Sequence, residues 1–247
     1  MKSTKSLQLT STEELTNFLK RFSPVSSNLL LEVEDGYLKA KTHTPERSVV
    51  KSSKIPIGRM FSNDDAFDED VKFGLFSVER MMKAFSHFGN SAINFELHQE
   101  STSDGNVGTD INLKNESLDI NFQCASLRLF TYITDEMMDK IADSSSSEIS
   151  FVLTKEIQSK INSLAGIDSD QKLLTLGVKK GNVIVSGKSF NLNIGQIENK
   201  SADISVSVYK NQFAFLDKED TMVYLSEDRL IFHSIESDTK MIIGKAE

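Results

Sequence analysis

The sequence predicts an α+β protein of two duplicated domains, each made of short antiparallel strands that carry a few short helices. Three observations predict it. Short apolar runs with period-two alternation recur along the whole chain, only a few segments switch to helical periodicity, and the pattern of the first half can be laid over that of the second. A length of 247 residues is enough for two domains of ordinary size, each burying its own core.

In chain order, alternating Leu7 and Leu9 lead into Leu15, Phe18, Leu19 and Phe22, which fall at i, i+3, i+4 and i+7 of a helix. Thr10 and Glu13 stand before them at the spacing of a capping box. Leu29 to Glu34, the pair Asp35-Gly36 and Tyr37 to Lys41 read as a hairpin with a tight turn. Val78, Met81, Met82 and Phe85 repeat the helical spacing behind a Ser77 cap, and strands follow at Ala92 to His98, Ile111 to Lys114 and Leu118 to Ala125. The second half opens on a third helical stripe, Ile157, Ile161 and Leu164, bounded by Thr154 and Gly166. Leu173 to Val178, Val183 to Ser186, Phe190 to Ile194 and Ile204 to Val208 alternate as strands. A fourth helix is expected around Asn211 to Lys218, and Met222 to Leu225, Leu230 to His233 and Met241 to Ile243 complete the half.

The duplication can be followed residue by residue. Leu15, Leu19 and Phe22 superpose on Ile157, Ile161 and Leu164 without a gap. After a short shift, Leu29, Leu31, Val33, Gly36, Leu38 and Ala40 correspond to Leu174, Leu176, Val178, Gly181, Val183 and Val185. Between the halves, the run from Leu129 ends in Ser144-Ser145-Ser146-Ser147, which reads as a flexible connector. The expected organisation is therefore an N-terminal domain 1–128, a connector 129–147 and a C-terminal domain 148–247.

The composition excludes several classes. At 38% hydrophobic and 26% charged residues the chain has the balance of a soluble globular protein, and no stretch approaches the ~20 apolar residues of a membrane helix. No signal-peptide pattern opens the sequence, so a cytoplasmic location is expected, a host's cytoplasm if the source is viral. With that expectation the sequons at Asn115 and Asn199 carry no information, and the single Cys124, inside a strand-like run, reads as a small buried hydrophobe. His43, His87, His98 and His233 show no metal-ligand spacing. Gly187-Lys188-Ser189 resembles the end of a phosphate-binding loop, but strands flank it and it reads as a β-turn. Without a nucleophile elbow or a Gly-rich nucleotide loop, neither an enzymatic activity nor a cofactor is expected.

The net charge of −8 argues against a protein that grips phosphates over its whole surface, so the location of the charges decides. Asp64, Asp65, Asp68, Glu69 and Asp70 form one acidic run that reads as a solvated segment. Projection of the helices at about 100° per residue leaves Glu13, Asn17 and Lys20 opposite the first apolar stripe, Arg80, Lys83 and His87 opposite the second, and Lys155, Ser159 and Asn162 opposite the third. Lys160 and Arg21 project nearer the stripes.

Two similar domains, each with two short helices against antiparallel sheets, a connector, no catalytic motif, an acidic total and neutral-to-basic helix faces resemble the two-domain DNA sliding clamps. That family includes proliferating cell nuclear antigen and the clamps of T4-like bacteriophages, whose order of elements is the more similar. The resemblance implies a non-enzymatic processivity factor. Its sheets would lie outside and its helices would line a homotrimeric ring around duplex DNA, holding it without reading sequence. It implies two partners besides DNA, a replicative DNA polymerase and an ATP-driven clamp loader. Lys20, Arg80, Lys83 and Lys155 would then supply about twelve cations per trimer, with His87, Asn17, Ser159 and Asn162 beside them. Partner tails are expected at Tyr132, Ile133, Met137 and Met138 of the connector and at Ile242 and Ile243 near the C-terminus. Two other classes fit the composition: a monomeric processivity factor holding DNA on one surface, and a β-rich phage structural or interaction protein with no role at DNA.

Overall fold

The structure is a computed structural model that describes residues 2–62, 69–89, 92–103, 105–145, 147, 149–197 and 203–246. Asp64, Asp65 and Asp68 of the acidic run and Asn199 of the second sequon lie outside the described residues, whereas Glu69 and Asp70 are exposed. The chain divides into two compact units, Met1–Thr42 with Ser52–Ile133 and His43–Lys51 with Thr134–Glu247.

Unit 1 contains β1 (Lys2–Leu9), α1 (Thr12–Lys20), β2 (Leu29–Glu34), β3 (Tyr37–His43), the end of β4 (Val49–Pro56), β5 (Val71–Leu75), α2 (Val78–Phe88), β6 (Ile93–Thr102), β7 (Gly105–Lys114) and β8 (Asp119–Gln123). A helix, α3 (Asp135–Ile141), opens the long part of unit 2. It is followed by β9 (Ile149–Leu153), α4 (Lys155–Ala165), β10 (Leu173–Lys179), β11 (Asn182–Ser186), β12 (Asn191–Gln196) and β13 (Ile204–Tyr209). α5 (Lys210–Phe213), β14 (Thr221–Leu225), β15 (Arg229–Ser234) and β16 (Asp238–Gly244) complete it.

The strand orders repeat. In unit 1, β1-β6-β7-β8 form one antiparallel ladder and β5-β2-β3 another, joined by a short parallel contact of Val71 and Lys72 with Asn106 and Val107. In unit 2 the corresponding orders are β9-β14-β15-β16 and β13-β10-β11-β12. The turns of the matched hairpins β2/β3 and β10/β11 repeat too. Asp35 and Gly36 have φ of 54° and 77°, Lys180 and Gly181 have 50° and 76°, and positive φ at both central residues gives the twist a two-residue hairpin needs. All ten apolar residues matched across these hairpins in the sequence are buried. Each unit has its own core, centred in unit 1 on Leu7, Phe22, Leu29 and Leu97 and in unit 2 on Leu174, Val185, Phe213 and Phe232.

Three local expectations are revised, and one strand that the sequence reading did not name is added. The first helix is capped by Ser11, whose Oγ accepts from the Glu14 N–H at 3.2 Å, because Thr10 instead donates its backbone N–H and its hydroxyl to Met60 O at 2.7 and 2.9 Å. The segment read as a connector contains α3, capped by Thr134 and buried at Met138. The fourth helix is only the four residues of α5, since the Phe215 carbonyl and Asp217 beyond it are taken by Lys51 Nζ at 2.9 and 2.7 Å. β4 carries no apolar alternation, because two of its four buried positions are Lys51 and Ser53. Gly187-Lys188-Ser189 forms the expected turn, between β11 and β12, with Gly187 N–H donating to Phe190 O at 2.9 Å. A Cβ on Gly187 would lie 2.4 Å from the Phe190 ring.

Candidate nucleic-acid interface

All eight polar residues picked from the helix faces are exposed: Asn17 and Lys20 on α1, Arg80, Lys83 and His87 on α2, and Lys155, Ser159 and Asn162 on α4. The cause is amphipathicity. α1 buries Leu15, Phe18 and Leu19, and α2 buries Val78, Met81, Ala84, Phe85 and Phe88, so their remaining faces turn to solvent. α1 and α2 are in contact within unit 1, which makes their exposed faces neighbours.

On α4 the buried stripe is Gln158, Ile161 and Ala165, while Ile157 and Leu164 stand half-buried at its margins. Gln158 is drawn inward because its Nε2 donates to Glu219 O at 2.6 Å, a contact no hydrophobic pattern announces. This rotation turns Lys160 well away from the core and leaves it exposed. Lys160 is therefore the cation that the projection undervalued, and a buried Gln was the signal needed to find it. Arg21, the other residue set aside, is half-buried at the C-terminal cap of α1.

The electrostatic setting separates these cations from five of the lysines on the strands. Glu32 accepts Lys41 and Lys72 at 3.4 and 3.3 Å, Lys39 meets Glu34 at 2.5 Å, Lys114 meets Glu96 at 2.5 Å and Lys51 meets Asp217 at 2.7 Å. Among the described residues Lys20, Lys83, Lys155 and Lys160 take part in no ion pair, and Arg80 only lies over the Phe122 ring, 5.4 Å from its centre. Arg80 and Lys155 also occupy first turns, where the helix dipole disfavours a cation by about 0.3–1 kcal/mol. Glu79 and Glu156 in the same turns, and Asp220, whose Oδ1 accepts from the Lys155 N–H at 2.9 Å, offset that cost. Helix stability alone gives no reason for cations there.

The residues expected to meet partner tails are divided. Tyr132 and Met137 are exposed, whereas Ile133, Met138, Ile242 and Ile243 are buried. Tyr132 is placed by Lys72, whose Nζ donates to its hydroxyl at 2.9 Å and lies 4.1 Å from the ring centre. Phe130, just before it, lies over Gly74, where a Cβ would come within 2.5 Å of the ring. The Lys72 ammonium is held above the usual lysine range: desolvation is the largest influence and opposes this, but Tyr132 and Glu32 together outweigh it.

Among the described residues no group of three or more His, Cys, Asp or Glu could hold a metal ion, and no helix is long and apolar enough to cross a membrane. Cys124 is buried, and burial, with a smaller contribution from Asp110, pushes its thiol up to about 12. His43 and His98 are occupied by Thr44 O and Thr4 Oγ1 at 2.7 and 2.8 Å.

The duplicated strand order with helices on each unit is the two-domain fold of the DNA sliding clamps. In particular, the chain is similar to proliferating cellular nuclear antigen from Entamoeba histolytica, with a TM-score of 0.67 at 13% identity over 98% of each chain. It is similar to the A. fulgidus PCNA solved with the C-terminal region of FEN-1, with a TM-score of 0.64 at 12% identity over 98% of this chain and 97% of that one. The PCNA2-PCNA3 complex of Sulfolobus tokodaii gives 0.65 at 11% identity over 97% and 98%. No family model matches the chain, and no curated protein matches it.

Proposed function

We propose that this chain is a sliding clamp, a non-enzymatic processivity factor that closes as a homotrimer around duplex DNA and tethers a replicative polymerase. The observation that carries this reading is the contrast in charge. Lys39, Lys41, Lys51, Lys72 and Lys114 on the strands are held by carboxylates, whereas Lys20, Arg80, Lys83 and Lys155 stand exposed and, among the described residues, without ion-pair partners on helices of a clamp fold whose net charge is −8. Such faces suit weak, sequence-independent phosphate contacts, which let a closed ring slide. Enclosure then replaces affinity, and an ATP-driven loader supplies the energy for opening, because nothing in this chain's sequence suggests a nucleotide site.

Ring closure needs complementary edges. In unit 2, β16 is covered on its outer edge by Ser48, whose carbonyl accepts from the Gly244 N–H at 2.8 Å. By the duplication β16 corresponds to β8, and β4, which Ser48 precedes, corresponds to β12. β8 pairs only with β7 and β12 only with β11 among the described residues. Their inward apolar residues, Ile120 and Phe122 on β8 and Leu192 and Ile194 on β12, are only partly buried. The proposed junction pairs β8 of one protomer with β12 of the next.

The test is primer extension on a long circular template with polymerase and loader, comparing the wild type with Lys20, Arg80, Lys83 and Lys155 all changed to Glu. Circular dichroism should show an intact fold, since exposed substitutions of this kind change stability by about 0.5 kcal/mol or less each. Extension should shorten sharply, and single substitutions should be mild because each contact is screened. A folded quadruple variant that extends as far as wild type would remove these helices from the DNA channel.

A further inference from the structure

The outer face of the sheet β14-β15-β16 should be solvated, yet Ile231 and Ile242 on it are buried, at 0% and 7% exposure. The register shows the arrangement. Leu230, Phe232, Met241 and Ile243 point into the core of unit 2, so their neighbours point outward. The outward rows are Met222, His233 and Lys240, then Tyr224, Ile231 and Ile242, then Arg229 and Gly244.

α3 and the two residues after it meet the rim of this face, inside unit 2, by two hydrogen-bonded contacts and one weaker electrostatic influence. Asp139 Oδ1 accepts from Lys240 Nζ at 3.2 Å, the Ala142 backbone hydrogen-bonds the His233 ring, and Asp143 is in the field of Arg229. A segment that reaches from Lys240 and His233 to Arg229 passes over Ile231 and Ile242, and the residues it buries are Met138 and Ala142. The occupant is an acidic turn, with Asp135, Glu136, Asp139 and Asp143, over an apolar strip rimmed by Lys240, His233 and Arg229.

The fit is incomplete. Arg229 Nε and His233 Nε2 on this same face are buried without hydrogen-bond partners, so it offers more polar contacts than α3 takes up. Seven residues form a helix too short to persist without packing, and its main external ion pair is exposed.

We propose that α3 is a detachable latch that fills this strip in the free protein, and that a partner segment with an apolar side chain followed by a carboxylate displaces it. The incoming carboxylate would engage Arg229 and His233 as well as Lys240. This rests on the reading of the chain as a tether for partner tails, and it supplies the reason that Met138 and Ile242, both expected at the partner site, are buried in the free chain.

The probe is a fluorescein-labelled peptide of residues 134–143, titrated by anisotropy into the full chain with neither DNA nor polymerase, so that its failure is distinct from failure of the ring. A Met138→Ala/Asp139→Ala variant, whose own latch is weakened, should bind the peptide at least tenfold more tightly than wild type, and adding Arg229→Ala should abolish the gain. Equal binding to both proteins, or none to a folded double variant, overturns the proposal. If the double variant does not fold, hydrogen exchange on wild type decides. The amides of α3 should exchange at least tenfold faster than those of β15 at the same pH, and equal protection of the two overturns the latch.

Discussion

Lys51 shows at the scale of one residue why part of the fold was illegible. It is 1% exposed, its ammonium held by Asp217 Oδ1 at 2.7 Å and Phe215 O at 2.9 Å, so a strand position that should read as apolar carries a charge. No pattern of hydrophobicity finds such a residue, because its burial depends on a carboxylate 166 positions away in sequence. Removing the carboxylate leaves a desolvated cation, and Asp217→Ala is expected to cost about 3–5 kcal/mol. Lys51→Met with Asp217→Ala removes both charges and should recover most of that loss, which paired thermal melts would show. Cys124 illustrates the opposite case, since its strand-like surroundings already marked it as buried. With its thiol pushed up to about 12, alkylation by iodoacetamide in the native protein near pH 8 should run roughly a thousandfold slower than in urea. Native and unfolded rates that agree would place Cys124 at the surface.

At the scale of the element, the hairpins were legible because their turns obey local rules. Asp35-Gly36 announces a two-residue turn, and its counterpart was found by alignment although Lys180 is a poor residue for φ of 50°. Lys180→Asn is therefore expected to raise stability by up to about 1 kcal/mol, since Asn tolerates the left-handed region better. Gly181→Ala should lower stability by a similar or larger amount, because its φ is 76° and a Cβ there would lie 3.3 Å from Ile197 O. Denaturant midpoints of the two variants should move in opposite directions. β5 and α3 were harder to read. Gly74 interrupts β5 because Phe130 and the Ala125 carbonyl occupy the space of a Cβ, and α3 was masked by the serine run that follows it. The exposed helix faces were legible as a set, but the turn of α4 set by Gln158 was not, which is how Lys160 was undervalued.

At the scale of the whole molecule, the duplication carried the most information, because one topology written twice tells which strands are equivalent. That equivalence supports the assignment of β8 and β12 as the edges that join protomers, a step the sequence could not take since both strands read like any other alternating run. Each edge presents two half-buried apolar residues at the margin of its own unit's core, so a lysine among them costs a monomer only the part already buried, whereas in an assembly it also meets full desolvation at the junction. Wild type at micromolar concentration should show by light scattering a mass about three times the 27.6 kDa of the chain. Ile120→Lys on β8 and Ile194→Lys on β12 should each shift that mass toward a single chain while circular dichroism stays unchanged. Mixing the two variants tests direction. In a head-to-tail ring each variant keeps one intact edge, so one chain of each kind can still pair through the unmutated β8 and β12, and a mixture should form dimers but no closed trimer. Trimers that survive both substitutions would show that other strands join the protomers, and a wild type that remains a single chain with polymerase and DNA present would remove the ring altogether.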